Sequence, residues 1–150
     1  MSDYDAIILS PGPGLPHEAP LLFQTLDTFA GSKPILGVCL GMQAIGEFYG
    51  CTLRNLPKVM HGIQTKCVVD TSSALFRGLS KEITVGHYHS WVIDEDSLVP
   101  ELQVIARNDN GLIMGIQHKT HSVTGVQFHP ESVLTPDGKF MIRNWIEGSK

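Results

Sequence analysis

The stretch Gly37-Val38-Cys39-Leu40-Gly41 constrains this chain more than any other. Pro34 to Val38 is an apolar run that reads as a buried strand, while Met42, Ile45, Phe48 and Tyr49 recur behind it at helical spacing. Cys39 therefore falls on a strand-to-helix turn. G-x-C-x-G has the form of a nucleophile elbow with sulfur in place of oxygen: two glycines let the backbone turn sharply and carry the side chain out above the sheet edge. A helix N-terminus also favours the thiolate, because unpaired N–H groups and the helix dipole stabilise negative charge there. Free cysteine is equally at home as inert core, so these five residues by themselves leave both readings open.

Length and composition narrow the rest. A chain of 150 residues is enough for one domain with a real core, and we expect a single domain over residues 1–150. With 42% hydrophobic and 17% charged residues, net charge −4 and no long run of one sign, nothing points to nucleic acid. The opening Met1-Ser2-Asp3-Tyr4-Asp5 lacks a basic leader and no apolar stretch is long enough to span a bilayer, so a cytoplasmic address is expected. Three cysteines without paired C-x-x-C spacing argue against a disulfide framework and a zinc ribbon. Cys51 and Cys67 stand in strand-like apolar contexts and read as core.

Taken in order, Ala6 to Leu9 is a short apolar run of the kind found in parallel strands buried on both faces. Ser10-Pro11-Gly12-Pro13-Gly14 follows, a rigid loop that is either a plain turn or a means of presenting backbone N–H groups. Pro20 suits a first helical turn, Leu21, Leu22, Leu26 and Phe29 make an apolar face, and Gly31 fits the position after a helix end. A right-handed βαβ unit results, with the Pro-Gly loop and the Cys39 turn both at the carboxyl edge of the sheet. Beyond Gly50 the texture is β: Ile63 to Val69, Glu82 to Val85, Leu102 to Arg107, Leu112 to Gln117 and Thr124 to His129 read as strands. Asn108-Asp109-Asn110-Gly111 signals a hairpin, and Lys139 to Glu147 a closing helix.

Among the histidines, His87 and His89 form the best candidate metal pair. The carboxylates and cysteines that would complete a shell are missing at recognisable spacing, so no metal is expected. Val126-Gln127-Phe128-His129-Pro130-Glu131 is more informative: a strand ends in a histidine and a carboxylate follows two residues on. Glu131 can then accept from the imidazole and fix the tautomer that lets the other ring nitrogen take a proton from Cys39. Cysteine, histidine and acid make a nucleophile, a base and its orienter.

Four motifs together, Leu9 to Gly14, Gly37 to Gln43, His87-Tyr88-His89-Ser90-Trp91 and Gln127 to Ser132, resemble a class I glutamine amidotransferase over essentially the whole chain. The Pro-Gly-Pro-Gly form of the first is similar to the glutaminase subunits of anthranilate synthase and aminodeoxychorismate synthase. The resemblance implies an α/β fold, flavodoxin-like, with an open, largely parallel or mixed sheet and flanking helices. It implies Cys39, His129 and Glu131 as the triad, Gly12 and Leu40 as oxyanion donors, and glutamine held by Gly12, Pro13, Gly14, Gln43 and the Ser90-Trp91 backbone. No cofactor is implied. The implied partners are L-glutamine and a chorismate-binding synthase subunit, with anthranilate favoured by Trp91 and aminodeoxychorismate second.

Two departures from the family pattern stand out. Relatives usually begin with a further strand, helix and strand of roughly 40 residues, about one βαβ unit, so the chain is expected to be N-terminally shortened and to self-associate through a bared sheet edge. A non-catalytic binding or scaffold subunit, its triad present but unassembled, is the rival on that account. Ile63-Gln64 also follows His61-Gly62 where relatives commonly carry Lys-Thr.

Overall fold

The computed structural model describes residues 4–149; residues 1–3 of the opening stretch read above for a leader lie outside the described residues. Alternating side chains of one central strand divide the interior in two. Ile35 packs with Leu26, Met42 and Ile45, whereas its neighbour Leu36 packs with Phe76, Phe128, Met141 and Trp145. Successive strand residues point to opposite faces, so this alternation makes a sheet with a core on each side.

That sheet has seven strands: β1 (Ile7–Leu9), β2 (Ile35–Val38), β3 (Leu53–Val69), β4 (Glu82–Ile93), β5 (Leu102–Asn108), β6 (Ile113–His118) and β7 (Val123–Val126). Their spatial order is β1-β2-β7-β6-β5-β3-β4. Helices α1 (Pro20–Phe29) and α2 (Leu40–Phe48) contribute to the Ile35 core, and α3 (Gly138–Gly148) to the Leu36 core. β1, β2 and β7 run parallel, and every other ladder is antiparallel. The sheet is thus mixed, and its parallel part is confined to the strands that flank the Cys39 turn. No helix among the described residues is long and apolar enough to cross a membrane.

The expected βαβ unit is present as β1-α1-β2, with Leu9 paired to Gly37. The Asn108–Gly111 hairpin forms as its composition requires: the Asn108 side-chain oxygen accepts from the N–H groups of Asn110 and Leu112, and Gly111 adopts φ +79°. Two strands are much longer than their apolar runs. β3 begins ten residues before Ile63, in a segment exposed on both faces that shows no alternation; pairing with β4, interrupted by two register shifts, holds it extended. β4 continues through His87 to Trp91 for the same reason. β7, by contrast, stops at Val126, because Gln127 donates to Met114 and His129 to Gly86 outside the ladder.

The turn at Cys39 depends on close backbone packing. A Cβ on Gly41 would lie 2.3 Å from the Leu9 carbonyl oxygen, and one on Gly37 would lie 2.5 Å from the Gly41 carbonyl carbon. Gly41→Ala must push the first turn of α2 off β1, so we expect a loss of about 1–3 kcal/mol in denaturant unfolding. β1 is the outer strand on its side among the described residues, with Ile8 48% exposed. The 150-residue chain is expected to associate reversibly through that edge in concentration-dependent sedimentation, and a monomer at every concentration would overturn this.

Candidate active site

Cys39 is the only non-glycine residue with positive φ among the described residues, at φ 54° and ψ −101°. Such a conformation costs about 1–3 kcal/mol and persists only where the surroundings over-determine it. Here the preceding strand and the following helix do so. Cys39 N–H donates to Val126 of β7 at 2.8 Å, and the Cys39 carbonyl accepts the first helical bond of α2 from Gln43. The residue that turns the chain therefore caps the helix and faces the end of the neighbouring strand.

An open cleft of about 310 Å³ lies at this carboxyl edge, lined by Pro11, Gly12, Pro13, Cys39, His61, Tyr88 and His129. Three separated stretches singled out from the sequence, the Pro-Gly loop, the elbow and the strand-ending histidine, thus share one wall. Leu40 is buried behind it, with its side chain 3.3 Å from where a Gly12 Cβ would be. A side chain at position 12 would crowd the turn, which accounts for glycine there.

His129 is buried, and Glu131 accepts from its Nδ1 at 2.7 Å. The opposite ring nitrogen, Nε2, is buried without a hydrogen-bond partner. A carboxylate on one nitrogen fixes the proton there and leaves the other as the acceptor. The loop bearing this pair is clamped by Thr135, whose hydroxyl donates to the His129 carbonyl at 2.7 Å and accepts the Gly86 N–H at 2.9 Å. Pro130 also packs on the start of α3: a Cβ on Gly138 would meet its carbonyl oxygen at 1.7 Å. The Gln64 side chain on β3 donates to the Leu134 carbonyl at 2.8 Å and ties β3 to the same loop.

Electrostatics corrects one expectation. Burial pushes the Cys39 thiol up to about 11, outweighing the lowering effects of the Leu40 N–H and the Gln127 amide, while Glu131 adds a further raising effect. The helix start acts as expected but does not win. Cys39 rests as a thiol at neutral pH, and a base is needed to take its proton.

The remaining expected residues are placed less uniformly. Gln43 is buried and outside the cleft lining: its amide donates to the Trp91 carbonyl at 3.0 Å and to Gln127 Oε1 at 3.4 Å. Ser90 and Trp91 lie on β4, and Gly14 adopts φ 80° beside Glu18. None of Gly14, Gln43, Ser90 and Trp91 lines the cleft itself.

Three contributors were overlooked by sequence reasoning. Tyr88 packs edge-on against the His129 ring at 5.0 Å and its hydroxyl meets Ser132 at 3.1 Å. His61 in turn packs edge-on against Tyr88. Gln127 donates to Cys39 Sγ at 3.5 Å. Tyr88 and Gln127 each stood inside a quoted motif, but alternation along a strand does not say which residue faces the site.

His87 and His89 serve one another. Thr65 Oγ1 meets His87 Nε2 at 2.6 Å, and His87 Nδ1 meets His89 Nε2 at 2.9 Å. Burial first, then the neighbouring imidazoles, holds His87 down to about 3; burial chiefly holds His89 down to about 4. Unfolding lets both titrate normally, so the unfolded chain binds more protons below the ordinary histidine value of about 6.5. Stability from keeping the pair neutral is present above that value and is lost as pH falls towards about 4 and 3. The melting temperature is expected to fall as pH drops below 6, more steeply in the wild type than in His89→Gln; equal slopes would overturn this assignment.

Comparison with known proteins places this geometry. The profile of the class-I glutamine amidotransferases matches residues 1–148. The bifunctional protein TrpGD of Thermotoga maritima is 44% identical over 93% of this chain, which spans 24% of that longer protein. Aminodeoxychorismate synthase component 2 of Klebsiella aerogenes is 43% identical over 93% of this chain and 74% of its own length. Anthranilate synthase component 2 of Lactococcus lactis is 43% identical over 95% and 72%. A crystal structure of a protein assigned to GMP synthase, from Thermoplasma acidophilum, superposes with TM-score 0.85 at 30% identity, covering 97% of this chain and 72% of that one. With a profile match over nearly its whole length and relatives above 40% identity, the chain belongs to the class-I glutamine amidotransferase family.

Proposed function

We propose that this chain, acting as one domain over residues 1–150, hydrolyses L-glutamine and supplies the ammonia to a chorismate-aminating synthase subunit in the cytoplasm. The observation that carries the reading is His129 Nε2, buried and unpartnered at a cleft it shares with Cys39, while Glu131 holds Nδ1. A buried nitrogen without a partner is costly, and a base awaiting a proton is what gives that cost a use.

His129 Nε2 takes the thiol proton as Cys39 Sγ attacks the side-chain carboxamide carbon of glutamine. The carbonyl electrons move to oxygen, where the N–H groups of Leu40 and Gly12 receive the oxyanion; one such donor is worth roughly 3–4 kcal/mol. As the tetrahedral intermediate collapses, the carbon–nitrogen bond breaks and His129 returns the proton to the departing nitrogen, which leaves as ammonia. A γ-glutamyl thioester remains on Cys39. Water, deprotonated by His129, then cleaves it to glutamate and regenerates the thiol. Gly12, Pro13, Gly14, Gln43 and the Ser90-Trp91 backbone hold the substrate; for those outside the cleft lining, that role requires them to approach its floor when glutamine binds.

Relatives named for anthranilate synthase and for aminodeoxychorismate synthase are 43% identical alike, so both acceptor pathways fit. Trp91 leans the reading towards anthranilate, with aminodeoxychorismate second.

Glutamine-dependent ammonia release by the isolated chain, and by the chain with each candidate synthase subunit, tests the proposal. Cys39→Ala is expected to abolish release and covalent labelling by a glutamine-mimicking electrophile, and glutamine is expected to protect Cys39 in the wild type. Equal release by wild type and Cys39→Ala in the presence of the synthase subunits would support the scaffold reading instead.

A further inference from the structure

A line of polar groups runs from β4 to the sulfur of Cys39, and its direction is determined at one end. The Trp91 carbonyl can only accept, so Gln43 must turn its NH2 group towards it, at 3.0 Å. The second hydrogen of that same nitrogen faces Gln127 Oε1 at 3.4 Å. Gln127 is then obliged to present its own NH2 group to Cys39 Sγ, at 3.5 Å. Reversing Gln127 would set two donors against each other and a carbonyl oxygen against the sulfur. Gln127 is 0% exposed and Gln43 4%, so solvent is not at hand to relieve that arrangement.

We propose that Gln127 is a catalytic donor that stabilises the Cys39 sulfur anion, and that Gln43 acts through it as a positioning residue. This inference rests on the glutaminase reading. A thiol sulfur is a weak acceptor and a thiolate a strong one, so the Gln127 hydrogen bond strengthens as the proton leaves for His129. It therefore favours the attacking state over the resting one, which is what lowers a barrier rather than merely holding a side chain. The device also answers the burial that keeps Cys39 protonated: a neutral donor assists ionisation without adding a positive charge that would compete with glutamine.

The titratable groups facing Cys39 are few. His129 and Glu131 approach from the loop after β7, His61 and Tyr88 from β3 and β4. The Pro11 to Pro13 loop and the first turn of α2 carry no ionisable side chain, and the buried His87 and His89 pair is neutral near pH 7. Changing the uncharged Gln127 leaves all of these in place.

The test is the pH dependence of Cys39 alkylation by iodoacetamide in the full chain without glutamine, read by mass spectrometry at that residue. Gln127→Met is expected to raise the midpoint by about one pH unit and to slow alkylation at neutral pH about tenfold. Gln127→Glu, which offers the sulfur an anion, should raise it at least as far, and Gln43→Met should raise it by a smaller factor while leaving Gln127 in place. Should the Gln127 variants fail to fold, Gln43→Met carries the test. An unshifted midpoint in folded Gln127→Met, or in Gln43→Met if that alone folds, overturns the proposal. Turnover is read separately: a shifted midpoint in the variants, together with a wild type that releases no ammonia with either synthase subunit, would refute the glutaminase reading and leave the hydrogen bond standing.

Discussion

Much of this structure depends on how closely the first turn of α2 approaches the β1–β2 ladder. Without side chains at Gly37 and Gly41, helix backbone rests directly on strand backbone, and the single residue between strand and helix must absorb the change of direction. That residue is Cys39, in the left-handed region that a side chain ordinarily avoids. The strain is held by a parallel ladder on each side of β2 and by a buried helix behind it. A looser turn would let Cys39 relax and lose its place at the cleft.

The same packing determines what the cysteine is chemically. Enclosing it raises the energy of the sulfur anion, so that the helix start cannot ionise it unaided. The groups gathered around it come from other elements: His129 and Glu131 beyond the end of β7, Gln127 just before them, Tyr88 on β4 and the Pro-Gly loop after β1. Most of these stand at carboxyl ends of the parallel strands, where an open α/β sheet gathers its ligands. The antiparallel half adds the remaining wall through β3 and β4, and Gln64 and Thr135 fasten that wall to the loop that carries His129 and Glu131.

The three residues proposed as a triad could be picked out because each carries a local signature. Cys39 stands between two spaced glycines, and His129 and Glu131 lie two residues apart at a strand end, close enough to pair with no help from the fold. Composition and periodicity likewise sufficed for β1-α1-β2, the Asn108 hairpin and α3. The full lengths of β3 and β4 were not legible: the outer half of β3 shows no alternation and is held by pairing with β4, and the later half of β4 buries histidines before it reaches the core at Val92 and Ile93. Tyr88 and Gln127 escaped for a related reason, since facing the site rather than the core is decided by register and twist.

By itself the sequence determined the local chemistry: a cysteine at a sharp turn, a histidine oriented by its neighbouring carboxylate, and a rigid loop able to present N–H groups. Only the tertiary structure decided the protonation state of Cys39, the lack of a partner at His129 Nε2 and the direction of the amide line from Trp91 to sulfur. Those properties depend on burial and on pairings between residues up to 88 positions apart. Desolvation and long-range hydrogen bonding are sums over neighbours that no short stretch of chain contains.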